Sequence, residues 1–157
     1  MPNEWLIENG GKIMALKMRF LYYSKKAKMK EMAELVKTEF DLAQNHNAID
    51  IIPPAYSCEN ERLVILAVSG KGDPEDLVRR FCSELNKKKA QNIALVVDGD
   101  EKLASKLIEA LEVAGSNINK DVLYVKLGGL PFFGGKVTEE EKKTLLDWTH
   151  KIVENLQ

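Results

Sequence analysis

The stretch "RLVILAVSGKGDPED", residues 62–76, decides the fold. Arg62 to Ser69 is the most apolar run in the chain, short and β-branched, and it reads as a central strand covered on both faces. A helix start follows, with Asp73 as cap, Pro74 in the first turn and acids after it. Leu77, Val78, Phe81 and Leu85 form the predicted inner stripe of that helix. A strand that runs through a glycine-rich loop into a helix is half of a βαβ unit, so the question is whether the unit repeats.

It repeats in both directions. Upstream, "MRFLYYS" (18–24) reads as a buried strand, and "MKEMAELVKTEF" (29–40) as a helix with Met29, Met32, Ala33, Val36 and Phe40 on one face. "AIDII" (48–52) gives a second strand, closed by Pro53-Pro54. Downstream, "NIALVVD" (92–98) is a fourth strand, and Leu103, Leu107, Ile108 and Leu111 mark a helix ended by Gly115. "DVLYVKL" (121–127) is a fifth strand. The connector "GGLPFFGGK" (128–136) carries two phenylalanines that read as a lid on the sheet's end, or as a partner patch. It leads to a last helix opened by the capping box Thr138-x-x-Glu141 and lined by Leu145, Trp148, Ile152 and Leu156.

Five strands alternating with helices predict a parallel sheet with helices on both faces, joined by right-handed crossovers. Ligands in such folds sit at the carboxyl ends of the strands, which singles out the loops at 24–29, 69–74 and 98–101. Residues 1–17 stand apart as an N-terminal extension. There "ENGGK" can close a β-hairpin, or the stretch is a loose lead-in to a start at Met14 or Met18. Residues 18–157 form the domain proper.

The bulk numbers narrow the classes. The chain has 157 residues, 45% hydrophobic and 30% charged, enough for one domain with a full core. A net charge of −1 gives no field toward nucleic acid or an anionic membrane. No run reaches the roughly 20 apolar residues of a membrane span, and Glu4 and Glu8 break up any signal peptide. Cys58 and Cys82 lack metal or redox spacing, and Cys82 reads as packing. His46 and His150 are isolated, so no metal site is expected. The expected setting is the reducing cytoplasm.

The loop at 24–29 poses the chemical question. Lys25, Lys26, Lys28 and Lys30 crowd the predicted N-terminal end of a helix. That end is already partly positive, so each cation there is unfavourable by about 0.3–1 kcal/mol. Either the lysines hold an anion, or they are a solvated turn offset by Glu31 and by Lys30 with Glu34 at i,i+4. Asp98 and Asp100 end a strand, where they could cap the next helix or meet a cation. The lysine run 87–89 sits at a helix C-terminus, where positive charge is locally favourable.

With these loops placed, the chain resembles the flavodoxin family over roughly residues 18–157. The likeness lies in "FLYYS…MAELV", "LVILAVSGKGDPED", "NIALVVDGD" and "FFGGKVTEEEKKTLLDW". It implies a flavodoxin-like three-layer α/β sandwich, a five-stranded parallel sheet in the order 2-1-3-4-5, and FMN at the ends of strands one, three and four. A receiver domain shares the order, but it needs acids where this chain has Tyr22-Tyr23-Ser24 and Val68-Ser69.

The family's phosphate loop typically reads Ser/Thr-x-Thr-Gly-Asn-Thr, and here the matching stretch is Ser24-Lys25-Lys26-Ala27-Lys28-Met29. Ser24 is kept, Lys26 and Met29 replace hydroxyls, Ala27 replaces the glycine and Lys28 the asparagine. Met29 offers an anion no hydrogen and reads as the start of the helix core. The resemblance assigns Ser69, Gly70, Gly72, Asp98 and Gly99 to the loops that face the flavin ring, and neither loop holds an aromatic residue. Tyr56, after strand two, is a candidate to reach across.

Two functions stand. The first is a divergent flavodoxin-like binding or accessory module, with weak or lost FMN binding and an unknown protein partner. The second is an FMN-binding electron-transfer protein or small flavin reductase with an altered phosphate loop that grips the flavin, or another anionic small molecule, through lysine. The changed loop and the missing aromatics favour the first; the scaffold and Ser24 favour the second. No residue is assigned a catalytic role.

Overall fold

Residues alternate between two hydrophobic layers along each central strand, and that alternation builds the molecule. The computed structural model describes residues 6–9, 12–15, 17–42, 46–48, 58–128 and 136–156. The chain runs through β1 (Leu6–Asn9), β2 (Lys12–Ala15), β3 (Met18–Tyr23), α1 (Ala27–Phe40), β4 (His46–Ala48), β5 (Glu61–Ser69) and α2 (Asp76–Glu84). It continues through β6 (Ala90–Asp98), α3 (Glu101–Ala114), β7 (Asn117–Ile118), β8 (Leu123–Tyr124) and α4 (Glu139–Glu154).

On β5, Val64, Leu66 and Val68 face Val78, Phe81 and Cys82 of α2 and Leu103, Leu107 and Leu111 of α3. Leu63, Ile65 and Ala67 face the other way, against Met29, Met32, Val36 and Phe40 of α1 and Leu145, Trp148 and Ile152 of α4. β6 alternates in the same sense, with Ile93, Leu95 and Val97 on the first face and Ala94 and Val96 on the second. The period-two pattern thus sorts side chains into two cores, and the fold is three layers, α/β/α. The five residues expected on the inner face of α1 are all buried there.

The main sheet is ordered β4-β3-β5-β6-β7, and β8 also pairs with β6. All of these pairings are parallel. Counted from Met18, the first four strands take the expected order. The fifth position is divided: β7 pairs with Asn92 and Ile93, β8 with Val96 and Val97. The expected single strand at 121–127 is corrected accordingly. A turn at Asn119–Val122, closed by the Asp121 N–H on Asn119 Oδ1 (2.8 Å), carries the chain off the sheet edge between the two pieces. β1 and β2 form a separate antiparallel pair, Leu6 opposite Ala15 through Asn9 opposite Lys12.

Two expectations around α2 are also corrected. The helix starts at Asp76 with Glu75 as N-cap, and Asp73 does not cap it. Asp73 instead approaches Lys102 (4.0 Å), and the Pro74 carbonyl accepts from Arg79 Nη2 (2.9 Å), so residues 73–75 stay outside the helix. Leu77 is not on the inner stripe but 39% exposed, because Val78, Phe81 and Cys82 occupy that face. In α4, Leu145, Trp148 and Ile152 are buried, and Leu156, just beyond the helix end, packs partly buried against the same core. His150 pairs with Glu39 (2.6 Å), an α4–α1 contact. The segment 49–52 of the expected second strand, Pro53-Pro54, Tyr56 and the two phenylalanines of the 128–136 connector lie outside the described residues.

Candidate functional site

Register brings the expected loops together. Tyr23 lies opposite Val68 and Ser69 opposite Asp98, so Ser24, Ser69 and Asp98 end three adjacent parallel strands at one level. Ser69 Oγ is 2.7 Å from Ser24 Oγ and 2.8 Å from Asp98 Oδ2. A serine has one proton and a carboxylate only accepts, so Ser69 donates to Asp98 and Ser24 donates to Ser69. The Lys26 N–H closes the row by donating to Ser24 Oγ (3.1 Å).

Lys26 does more. Its Nζ donates to Asp98 Oδ2 at 2.6 Å, across 72 positions of sequence. Asp98 Oδ1 accepts from the Leu127 N–H (3.2 Å). The carboxylate is therefore satisfied on both oxygens while only 8% exposed. Burial opposes its charge, but the bonds from Lys26, Ser69 and Leu127 and the Lys26 charge outweigh it, so Asp98 sits below the ordinary aspartate value of 3.8. Of the two aspartates expected as caps, only Asp100 caps α3, accepting from the Leu103 N–H (2.9 Å).

The other lysines divide. Lys28 Nζ pairs with Glu141 Oε1 (3.1 Å), tying the first turn of α1 to the first turn of α4. Glu31 reinforces that seam by accepting from the Val137 N–H (2.9 Å). Lys25 and Lys30 are exposed, Ala27 opens α1, and Met29 is wholly buried as the first core residue of the helix.

The two loops assigned to the ring touch each other. The Gly70 N–H donates to the Asp98 carbonyl (3.1 Å), and the Gly72 N–H, at φ +71°, donates to Asp100 Oδ1 (3.2 Å). A Cβ on Gly99 would lie 2.4 Å from the Gly70 carbonyl oxygen and 2.9 Å from Leu103 Cδ2, so only glycine fits there. Beside them is a cleft of about 130 Å³ lined by Tyr23, Ser69, Gly70, Pro74, Glu75 and Val78, among others. The Tyr23 hydroxyl bonds to Glu75 across it.

A flavin phosphate does not fit this turn as arranged. The Lys26 ammonium is already held by Asp98, and a phosphate within about 4 Å of that carboxylate would meet about 4 kcal/mol of repulsion per charge pair. Among the described residues, no three His, Cys, Asp or Glu side chains cluster to hold a metal, and no helix is long and apolar enough to cross a membrane. Both cysteines are buried free thiols. Burial pushes Cys82 up to about 12. Burial first, against the opposing charge of Arg19, pushes Cys58 up to about 11, so neither is a ready nucleophile.

Sequence reading named Ser24, Lys26, Ser69 and Asp98, but not their joint network. The available signal was that three apolar strands each end in a small polar or acidic residue, at positions the parallel register makes neighbours.

No protein-family model and no curated protein matches the chain. A solved structure, the flavodoxin-like domain of a Synechococcus sp. protein, is similar to it at 15% identity and a TM-score of 0.48, covering 85% of this chain and 99% of that one. The fold stands on the layers and strand pairings described above.

Proposed function

We propose that the chain is a divergent flavodoxin-like protein that serves as a binding or accessory module with weak or lost FMN binding. One observation carries the reading: the turn that would grip a phosphate is engaged by the protein's own carboxylate, Asp98, on Lys26 and Ser69. The contact between the Gly70 and Gly99 loops supports it, because a ring would need to part them. Two buried free cysteines fit a reducing compartment such as the cytoplasm.

Titration of the purified protein with FMN, followed by flavin fluorescence, tests the reading. The expected outcome is no saturable quenching at flavin concentrations that saturate a flavodoxin. Tight quenching that disappears in a Lys26→Ala/Lys28→Ala variant would overturn it, in favour of an electron-transfer protein or flavin reductase whose altered loop holds the flavin through lysine.

A further inference from the structure

We propose that the pocket at the amino ends of β5 and β6 is a binding site for a neutral cyclic amide, a small lactam or imide ring. It lies at the opposite end of the sheet from the Ser24–Ser69–Asp98 row and goes beyond the function proposed above.

The pocket has a volume of about 220 Å³. Leu63, Ile93, Ile118, Ile152 and Leu156 give it aliphatic surface, and Asn92, Asn117, Asn119 and Asn155 line it with amides. The divided sheet edge opens it. β7 pairs with Asn92 and Ile93, and the chain then turns away at Asn119 under the last turn of α4. A cavity of about 150 Å³ accommodates benzene, so the volume here suits one substituted ring of that size.

Asn92 carries the inference. It is 6% exposed, and its Nδ2 donates to the Arg62 carbonyl (3.1 Å). A carbonyl only accepts, so that bond fixes the orientation of the amide and turns Oδ1 away from Arg62. Oδ1 accepts from no described residue. Nor is it sealed, since the sealed side-chain atoms without a partner are Glu61 Oε2 and Arg62 Nε among the described residues. Asn92 Oδ1 is therefore open to the pocket its residue lines. An acceptor on a side chain this deeply buried calls for a donor from an occupant.

The neighbouring amides are set by the same logic. Asn155 Nδ2 donates to the Lys151 carbonyl (2.7 Å), which leaves its Oδ1 to accept. Asn119 Oδ1 accepts from the Asp121 N–H (2.8 Å), which leaves its Nδ2 to donate. The rim thus offers acceptors and a donor, the complement of ring N–H groups beside a ring carbonyl. Lys120 is the only ionisable residue in the described lining, and its ammonium is paired with Glu112. An ion would lose its hydration there without gaining a counter-charge, so the occupant is neutral.

The test is a titration of the full chain with uracil, read by amide chemical shifts at residues 92–93, 117–119 and 155–156. The control is 1,3-dimethyluracil, the same ring without an N–H. The wild type should show saturable shifts with uracil and bind it at least about tenfold more tightly than the methylated ring. Asn92→Leu, which keeps the bulk and removes the acceptor, should weaken uracil at least about fivefold, and Asn155→Ala, at an exposed position, by less. The proposal is overturned if uracil gives no saturable shift up to its solubility limit, if the methylated ring binds equally, or if a folded Asn92→Leu binds like wild type. If Asn92→Leu does not fold, Asn155→Ala takes its place, and unchanged affinity there overturns the proposal. A failed uracil titration leaves the FMN reading standing, because the pocket and the Ser24–Ser69–Asp98 row share no residue.

Discussion

The N-termini of α1 and α4 pack at one seam and manage their exposed N–H groups in opposite ways. α4 does so locally: Thr138 Oγ1 accepts from the Glu141 N–H (3.1 Å), Glu141 reaches back to the Thr138 N–H (2.9 Å), and three acids fill the first turn. α1 has no side-chain cap, no acid in its first turn and lysines at 25, 26, 28 and 30. Its compensation comes from elsewhere in the chain, from Asp98 on Lys26 and Glu141 on Lys28. The difference teaches where stability resides. A capping box is worth about 1 kcal/mol wherever the helix is placed, whereas the α1 terminus is stabilised only once β6 and α4 are in position.

The strongest break in that comparison is Asp98→Ala. It leaves Lys26, 31% exposed, without its partner, and removes the acceptor of the Leu127 N–H. We expect a loss of about 2 kcal/mol in urea denaturation at neutral pH, between the values for surface and buried pairs. The pH profile sharpens it. Asp98 and Glu141 are held below their ordinary values of 3.8 and 4.5. A depressed folded value contributes stability that is fully present above the unfolded value and lost as pH falls through the folded one. The wild type should therefore weaken below about pH 4, and Asp98→Ala should weaken less steeply there. Parallel acid limbs for the two proteins would show that the Lys26–Asp98 pair carries little of the effect.

Thr138→Ala is the local counterpart, with an expected loss of about 1 kcal/mol. It should leave the wild-type flavin response unchanged, because Thr138 bonds to Glu141 and not to the Ser24–Ser69–Asp98 row. A loss as large as that of Asp98→Ala would mean that the two termini are not managed at different scales.

How much of this was legible from sequence follows the same division. Local signals read through: the apolar run at 62–69, the inner face of α1, the Thr138 box and the buried Met29 all depend on neighbours within a few residues. Pairings set by register did not. Lys26 and Asp98 are 72 positions apart, and nothing in either segment names the other, although each sits where a parallel strand ends. The cap of α2 also departs from the sequence reading: Asp73-Pro74 has the composition of a helix start, but the helix begins after it, at N-cap Glu75, and an acidic run with several possible caps does not single one out. The division of the fifth strand likewise depends on which residues face β6, and no period in "NINKDVLYVKL" (117–127) reveals that.

The seam can be probed with Lys28→Met, Glu141→Ala and the double variant. The pair is 16% and 27% exposed, so a coupling of about 0.5 kcal/mol is expected. Glu141 also serves the Thr138 N–H, a bond alanine cannot make, so Glu141→Ala alone should cost more than Lys28→Met alone. Equal single effects would mean that the carboxylate's role within its own helix is negligible.

The smallest effect distinguishes engaged from unengaged charge. Lys25 is exposed just ahead of the uncapped end of α1, and it forms no ion pair with the described residues. If the α1 terminus tolerates positive charge only where a carboxylate answers it, Lys25→Glu should stabilise the protein by about 0.5 kcal/mol at low salt, the usual scale for a charge at a helix end. The gain should shrink as ionic strength rises and the screening length falls from about 30 Å at 0.01 M to about 3 Å at 1 M. Lys26→Glu should destabilise in the same assay, because it places an acid against Asp98. Opposite signs from adjacent lysines would separate the partnered charge from the solvated one. If both changes destabilise by similar amounts, Lys25 also has an anionic partner in the fold.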